Sequence, residues 1–352
     1  MSFTLVPKES KNKINKAGKT LACGSDSDLE KEFDAISLAD KWRACHAYPL
    51  NTFNSTLRVR AKNFPNAIVA QRLKRMSTII DKLKRYPAMQ LTTMQDIGGV
   101  RIILDSVEDV YKIAKKYSKT GEFAHGLVRE YDYIQKPRDE DGYRSLHLVY
   151  KYKNKLVPSY NGLLIELQIR TRLQHTWATA VETMGTFLGQ ALKSRQGDRE
   201  WLNFFSVTSS AFAYIENTPL VPRYKNMTFE QTFKAVANAN QELKVLDKIK
   251  GFTVAVNEII KKGNSDKGWA YHLIILNSLE KRVQIKPYTR NSFEDALRDY
   301  ANIESQVTSG RKIEPVLVSA GPLAMLRQAY PNFFLDISDF VNRVNDIIST
   351  QD

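Results

Sequence analysis

The segment Leu163–Glu182, LLIELQIRTRLQHTWATAVE, changes its period in the middle. From Leu164 to Arg170 the alternation is strict, so a strand turns Ile165, Leu167 and Ile169 to one side and Glu166, Gln168 and Arg170 to the other. From about Thr171 the spacing becomes helical. A half-buried strand running straight into a helix predicts a mixed α/β domain, a sheet flanked by helices. The three polar side chains near the strand's end either form an ordinary solvated face or hold a metal ion and phosphates.

Two earlier segments bear on that choice. In DIGGVRIIL (96–104), Asp96 precedes Gly98-Gly99 and an apolar strand carrying Arg101, which sets a carboxylate beside a turn that a ligand can approach closely. Asp96 and Glu166 together are the donors Mg²⁺ needs when it is bound through substrate phosphates, since the ion keeps waters and takes one or two protein oxygens. In GYRSLHLVY (142–150), Tyr143 stands next to a glycine after the charged loop KPRDED, where the ring either packs on its neighbours or stacks on a base.

Outward from this centre, helices are expected near 32–47 and 66–86, strands at 97–104, 143–152 and 163–169, and a helix from about 171. NTPLVPRYKNM (217–227) carries two prolines and ends where Thr228 and Gln231 resemble a capping box. It divides residues 1–216 from 228–352. In the latter, FTVAVNEII, WAYHLIILN and RVQIKPY read as strands of a smaller α+β module with its own core.

Lys and Arg outnumber Asp and Glu by 52 to 38, and the resulting formal charge of +14 favours polyanionic ligands. The cations cluster: Lys8, Lys11, Lys13, Lys16 and Lys19 in the first stretch, and Arg58, Arg60, Lys62, Arg72, Lys74 and Arg75 in a second. No window approaches a bilayer-spanning apolar run and MSFTLVPKESKNK lacks a secretory core, so a cytoplasmic protein with no membrane partner is expected. Two cysteines, Cys23 and Cys45, are too few for a disulfide framework or a four-thiolate zinc site.

The ordered set RVRAK, DIGGVRI, GYRSLH, IELQIRT and HTWA, spread over residues 40–200, resembles the synthetase domain of the RelA/SpoT alarmone enzymes. The resemblance implies a five-stranded mixed sheet and transfer of the β,γ-pyrophosphate of ATP to a ribose 3′-hydroxyl. It implies that Asp96 and Glu166 bind Mg²⁺, with Glu166 helping to deprotonate the attacking hydroxyl, and that Tyr143 stacks on the acceptor base. It gives ATP to Arg58, Arg60, Arg72, Arg75 and Arg101, and the acceptor's surroundings to Gln168, Arg170 and His175. His175 either faces the site or packs within its helix. The sequence departs from the family at NFPNA (63–67) and at Thr183, which follows Glu182 where a histidine is usual. No adjacent His-Asp pair of the family's hydrolase domain is present.

Total length, the basic amino-terminal stretch with Lys11, Lys13 and Lys16, and AYPNFFLD (329–336) make the chain similar to the CapRel type of fused toxin–antitoxin. That resemblance implies a tRNA 3′-CCA acceptor, a phage capsid protein as trigger, and regulation through Tyr330 and Phe333, the latter standing where the pattern has a second tyrosine. Those rings are equally explained as core. Three functions remain open: a tRNA-modifying, self-restrained toxin; an alarmone synthetase acting on GDP or GTP; and an inactive RNA-binding sensor.

Overall fold

The computed structural model describes residues 3–23, 29–118, 123–188, 192, 197–246, 269–277, 282–308, 313–319 and 337–350. Three helices open the chain: α1 (Lys11–Cys23), α2 (Leu29–Ala44) and α3 (Ala47–Ala61). Next come β1 (Ile68–Leu73), α4 (Met76–Arg85), β2 (Gly98–Leu104), α5 (Val107–Ser118), β3 (Gly126–Asp132), β4 (Leu146–Lys151) and β5 (Leu164–Thr171). Helices α6 (Arg172–Leu188), α7 (Arg199–Glu216) and α8 (Phe229–Leu243) follow, then β6 (Trp269–Asn277), β7 (Arg282–Thr289), α9 (Phe293–Thr308), β8 (Ile313–Ser319) and α10 (Ser338–Ser349).

The strands β3-β4-β5-β2-β1 form the expected five-stranded mixed sheet, in which β2 and β5 run parallel and the other neighbours antiparallel. Alternation along β5 works as the sequence indicates: Ile165, Leu167 and Ile169 are buried, joined from β2 and β4 by Val100, Ile102, Leu146 and Leu148 in one core. Helix α5 closes over that core through Val110, Ile113, Ala114 and Tyr117, spaced i, i+3, i+4, i+7. The opposite face, with Arg72, Gly99, Arg101, Glu166 and Gln168, stays open enough to form a pocket.

The expected helix 66–86 is instead β1 followed by α4. Local spacing there is ambiguous, and β-branched Ile68 and Val69 settle into an extended segment because β2 offers a six-residue antiparallel partner. The chain extends from Tyr143 to Ser145 as a lead-in, and β4 begins at Leu146.

The described part of residues 228–352, the smaller carboxyl-terminal α+β region, packs into the same cores as the amino-terminal part. Strand β8 pairs with β1 (Gln71 with Ser319, Arg72 with Val318), so β8, β6 and β7 extend the sheet to eight strands. Tyr271, Leu273, Tyr288, Phe293, Tyr300 and Leu317 accordingly share the core of the amino-terminal sheet. Helices α8 and α10 join a second cluster with α6 and α7, through Phe233, Val236, Phe340 and Val344 against Trp177, Trp201, Phe204 and Phe205. The exposed β1 edge is the physical reason, because an unpaired strand beside a packed core is completed by any strand that can reach it. The capping box opening α8 is present: the Gln231 amide donates to the Thr228 hydroxyl and the Thr228 amide to the Gln231 side chain. The segment FTVAVNEII lies outside the described residues. No described helix is long and apolar enough to cross a membrane.

Candidate active site

Register aligns the site across three strands. Arg72 of β1 pairs with Gly99 of β2, which pairs with Glu166 of β5; one row on, Ala70, Arg101 and Gln168 align in the same way. Residues in register share a face. At Gly99 an added Cβ would meet nothing closer than the Arg72 carbonyl oxygen at 4.0 Å, so the missing side chain leaves a hollow between an arginine and a carboxylate.

Asp96 enters this hollow from the turn before β2. Its Oδ2 accepts from Lys74 Nζ and Lys82 Nζ, both at 2.9 Å. Burial alone would raise the Asp96 carboxyl, but these two ammonium groups outweigh it and hold the carboxyl well below the usual range. Burial lowers the Lys74 ammonium, against the pull of Asp96. The second oxygen, Asp96 Oδ1, is buried and has no hydrogen-bond partner among the described residues. A buried carboxylate oxygen left in this state is costly without a cation or donor to meet it.

Glu166 is held from the other side. Its Oε1 accepts from His147 Nδ1 at 2.9 Å and its Oε2 from Gln168 Nε2 at 2.7 Å. His147 Nε2 lies 2.9 Å from the Tyr143 hydroxyl oxygen. Burial would lower the His147 imidazolium, yet the Tyr143 oxygen and the Glu166 carboxylate more than offset it and raise it to about 9. Glu166 is in turn lowered: burial opposes, and the His147 charge prevails. At neutral pH, imidazolium and carboxylate are therefore both ionised, and His147 donates through both nitrogens. The Arg138 guanidinium lies 4.5 Å from the centroid of the Tyr143 ring and is fixed by Asp141.

The loop carrying Tyr143 is anchored from behind. Gly142 has φ +79°, and a Cβ there would lie 2.7 Å from Ser209 Cβ on α7, so neither the dihedral nor the space suits another residue. Arg144 donates to Ser209 Oγ at 2.9 Å and to the Pro219 carbonyl at 2.7 Å, which ties the loop to the end of α7.

Of the residues expected from the sequence, Arg72, Asp96, Arg101, Glu166 and Gln168 line one pocket, and Tyr143 joins them through His147. Others are elsewhere. The buried stripe Leu50, Phe53, Asn54, Leu57, Ala61 pins α3 and leaves Arg58 exposed. Arg60 lies 4.3 Å from the Tyr117 ring centroid and donates to the Lys116 carbonyl, so neither arginine reaches the pocket. Arg75 is the residue at the N-terminus of α4. Arg170 and His175 are both buried and hydrogen-bonded to each other, outside the pocket lining. Lys11, Lys13 and Lys16 are exposed on α1, a folded helix rather than a loose arm, whose Ile14, Ala17 and Leu21 are buried. Tyr330 and Phe333 lie outside the described residues.

Sequence reasoning missed Lys82 and His147, and it placed Lys74 in a basic cluster without pairing it with Asp96. His147 stands in the GYRSLH motif, but it falls opposite Gln168 only once β4 and β5 pair. No local signal joins either lysine to Asp96: Lys74 follows the end of β1 and Lys82 lies on α4.

Residues 71–185 match the family model described as a region found in RelA / SpoT proteins. The chain is 36% identical over 117 residues to GTP pyrophosphokinase YjbM of Bacillus subtilis, covering 33% of this chain and 54% of that protein. It is 33% identical over 114 residues to GTP pyrophosphokinase YwaC of the same organism, covering 31% and 52%. It thus spans about half the length of these curated relatives. The crystal structure of small alarmone synthetase 1 from Bacillus subtilis bound to its product pppGpp aligns at 22% identity with TM-score 0.42, over 53% of this chain and 94% of that one.

Proposed function

We propose that this protein is a pyrophosphotransferase that moves the β,γ-pyrophosphate of ATP to a ribose 3′-hydroxyl, with the 3′-CCA end of tRNA as acceptor. The observation that carries the reading is the convergence of Asp96, Glu166, Arg72 and Arg101 on one pocket floored by Gly99. The relatives' description as GTP pyrophosphokinases supports the reaction class.

The residues fit a divalent cation. Mg²⁺ bound through substrate phosphates takes one or two protein oxygens, which the two carboxylates can supply. Asp96, with Oδ1 unpartnered, and Glu166 would hold Mg²⁺, which when bound neutralises phosphate charge. Arg72 and Arg101 bind the remaining phosphate oxygens, and Tyr143 takes the acceptor base on its ring. In the transfer, the 3′-oxygen bonds to the β-phosphorus, the bond from that phosphorus to the α-phosphate oxygen breaks, and AMP leaves. Glu166 orients the hydroxyl and accepts its proton; a weakly basic carboxylate suffices because the loose transition state needs little deprotonation before bond formation. His147 keeps Glu166 ionised and aimed.

The basic helix α1 favours a polynucleotide acceptor over a free nucleotide, and residues 228–352 act as a restraint, β8 pairing with Gln71 and Arg72 at the pocket wall. A phage capsid protein is the trigger this reading implies. The second reading, an alarmone synthetase using GDP or GTP, is favoured by the names of the relatives. Incubation with ATP labelled in its β-phosphate, plus bulk tRNA or GDP, separates them: label in tRNA supports the first and label in GDP alone the second.

A further inference from the structure

The open face of the sheet does not end at Tyr143. The row Ala70, Arg101, Gln168, His147 continues onto β3 at Tyr131, and the row Arg72, Gly99, Glu166, Val149 continues at Arg129. Strand β3 is one of the two edge strands of the sheet among the described residues, exposed from Gly126 to Glu130. Tyr131 and Tyr133 thus carry two half-buried rings on the face that holds the reaction carboxylate. Their planes are 6° apart with centroids 5.9 Å apart. Tyr133 meets the Tyr143 ring edge-on at 5.7 Å and the His147 ring at 5.4 Å, so the three tyrosines form one continuous aromatic surface.

That surface is held rigid at its outer end. The Tyr131 hydroxyl donates to Gln95 Oε1 at 3.4 Å and accepts from Arg129 at 3.2 Å, which also brings a guanidinium to the rim. A single acceptor base needs one ring, and Tyr143 provides it. With neighbouring strands about 4.8 Å apart, β3 stands roughly 10 Å from β5, beyond a base stacked beside Glu166 and suited to the next residue of a longer chain.

We propose that Tyr131 and Tyr133, with Arg129, form a second stacking subsite that takes the bases preceding the terminal one in a single-stranded 3′ end. This rests on the reading that the acceptor is a polynucleotide. Aromatic stacking tolerates any base and Arg129 meets the backbone phosphate, so the subsite selects for a strand rather than for a sequence.

The test uses the full chain and a short single-stranded RNA ending in CCA, with a 5′ dye for affinity and, in a second preparation, 2-aminopurine next to the terminal residue as a stacking reporter. Tyr131→Ala is expected to weaken binding about 5- to 150-fold and to relieve the quenching of 2-aminopurine, while Tyr131→Phe keeps both. Arg129→Ala, at an exposed position that threatens no packing, is expected to lower the log–log salt slope by about 0.7. If wild type binds the RNA but Tyr131→Ala and Arg129→Ala bind and quench as it does, the subsite is overturned and the polynucleotide acceptor stands. If wild type transfers to GDP and does not bind the RNA, the polynucleotide reading falls and takes the subsite with it.

Discussion

On the proposed reading, single charges in the pocket carry the transfer. Asp96→Asn and Glu166→Gln each remove a cation-facing charge without core volume, and each is expected to lower transfer by several kcal/mol in barrier, about 10³-fold or more. Near-wild-type turnover of either at saturating Mg²⁺ would place the site elsewhere. His147 supplies a pH signature. Its folded-state value is raised to about 9 from the ordinary 6.5, so its contribution is complete below about 6.5 and is lost as pH rises toward 9. Transfer should therefore decline on the alkaline side. Histidine NMR should show one imidazole titrating near 9, returning toward its ordinary value in Glu166→Gln; no such shift would detach His147 from Glu166. Glu166 was legible because strand alternation alone turns it away from the core, whereas His147 acquires meaning only when β4 lies beside β5.

At the scale of elements, α4 depends on a distant residue. Its N-terminus has no side-chain cap of its own, and the Met76 amide instead donates to Glu304 of α9. Glu304 also pairs with the buried Arg43 at 2.7 Å and accepts from Tyr300 at 3.1 Å. Helix α4 carries Lys82, and so the carboxyl-terminal segment supports a partner of Asp96. Glu304→Ala leaves the buried Arg43 with Asp40 as its one ion-pair partner among the described residues, beside the Tyr300 ring, and is expected to cost about 3–5 kcal/mol, read as a lowered unfolding midpoint. Replacing Arg43 and Glu304 together by Met and Leu should recover part of that loss, because no buried guanidinium is left unpaired, while the Met76 amide still lacks its cap. Gly142→Ala tests the acceptor loop: positive φ and the closeness of Ser209 predict a loss above about 1 kcal/mol together with weaker acceptor binding. The capping box at Thr228 was readable from four consecutive residues; the Glu304 cap, 228 residues from its amide, was not.

For the whole molecule, pairing of β8 with β1 and the shared core change what truncation would do. Removing residues 228–352 bares the β1 edge and takes Tyr271, Phe293, Tyr300 and Leu317 from the core. The truncated chain is expected to aggregate, as exposed edges and apolar patches do, rather than to run free. Sedimentation of the truncated protein checks this, and a soluble, monodisperse product would argue for a separable module. Charge acts at the same scale. Neutralising Lys11, Lys13 and Lys16, exposed on α1, should lower the log–log salt slope of tRNA binding by about 0.7–0.9 for each phosphate that a lysine no longer neutralises. An unchanged slope would give α1 to solubility instead.

By itself the sequence determined which face of β5 turns away from the core, the carboxylates Asp96 and Glu166 as a candidate pair, the capped start of α8 and the cationic balance of the chain. These are local properties, written in alternation, spacing and composition over a few residues. Tertiary structure alone decided that β1 is a strand, that Lys74, Lys82 and His147 converge on the two carboxylates, and that β6–β8 complete the amino-terminal sheet. Each of those outcomes depends on which strand edge a distant segment can pair with and which charge it meets on burial. Such choices are settled by packing and desolvation across the whole chain, which no short window contains.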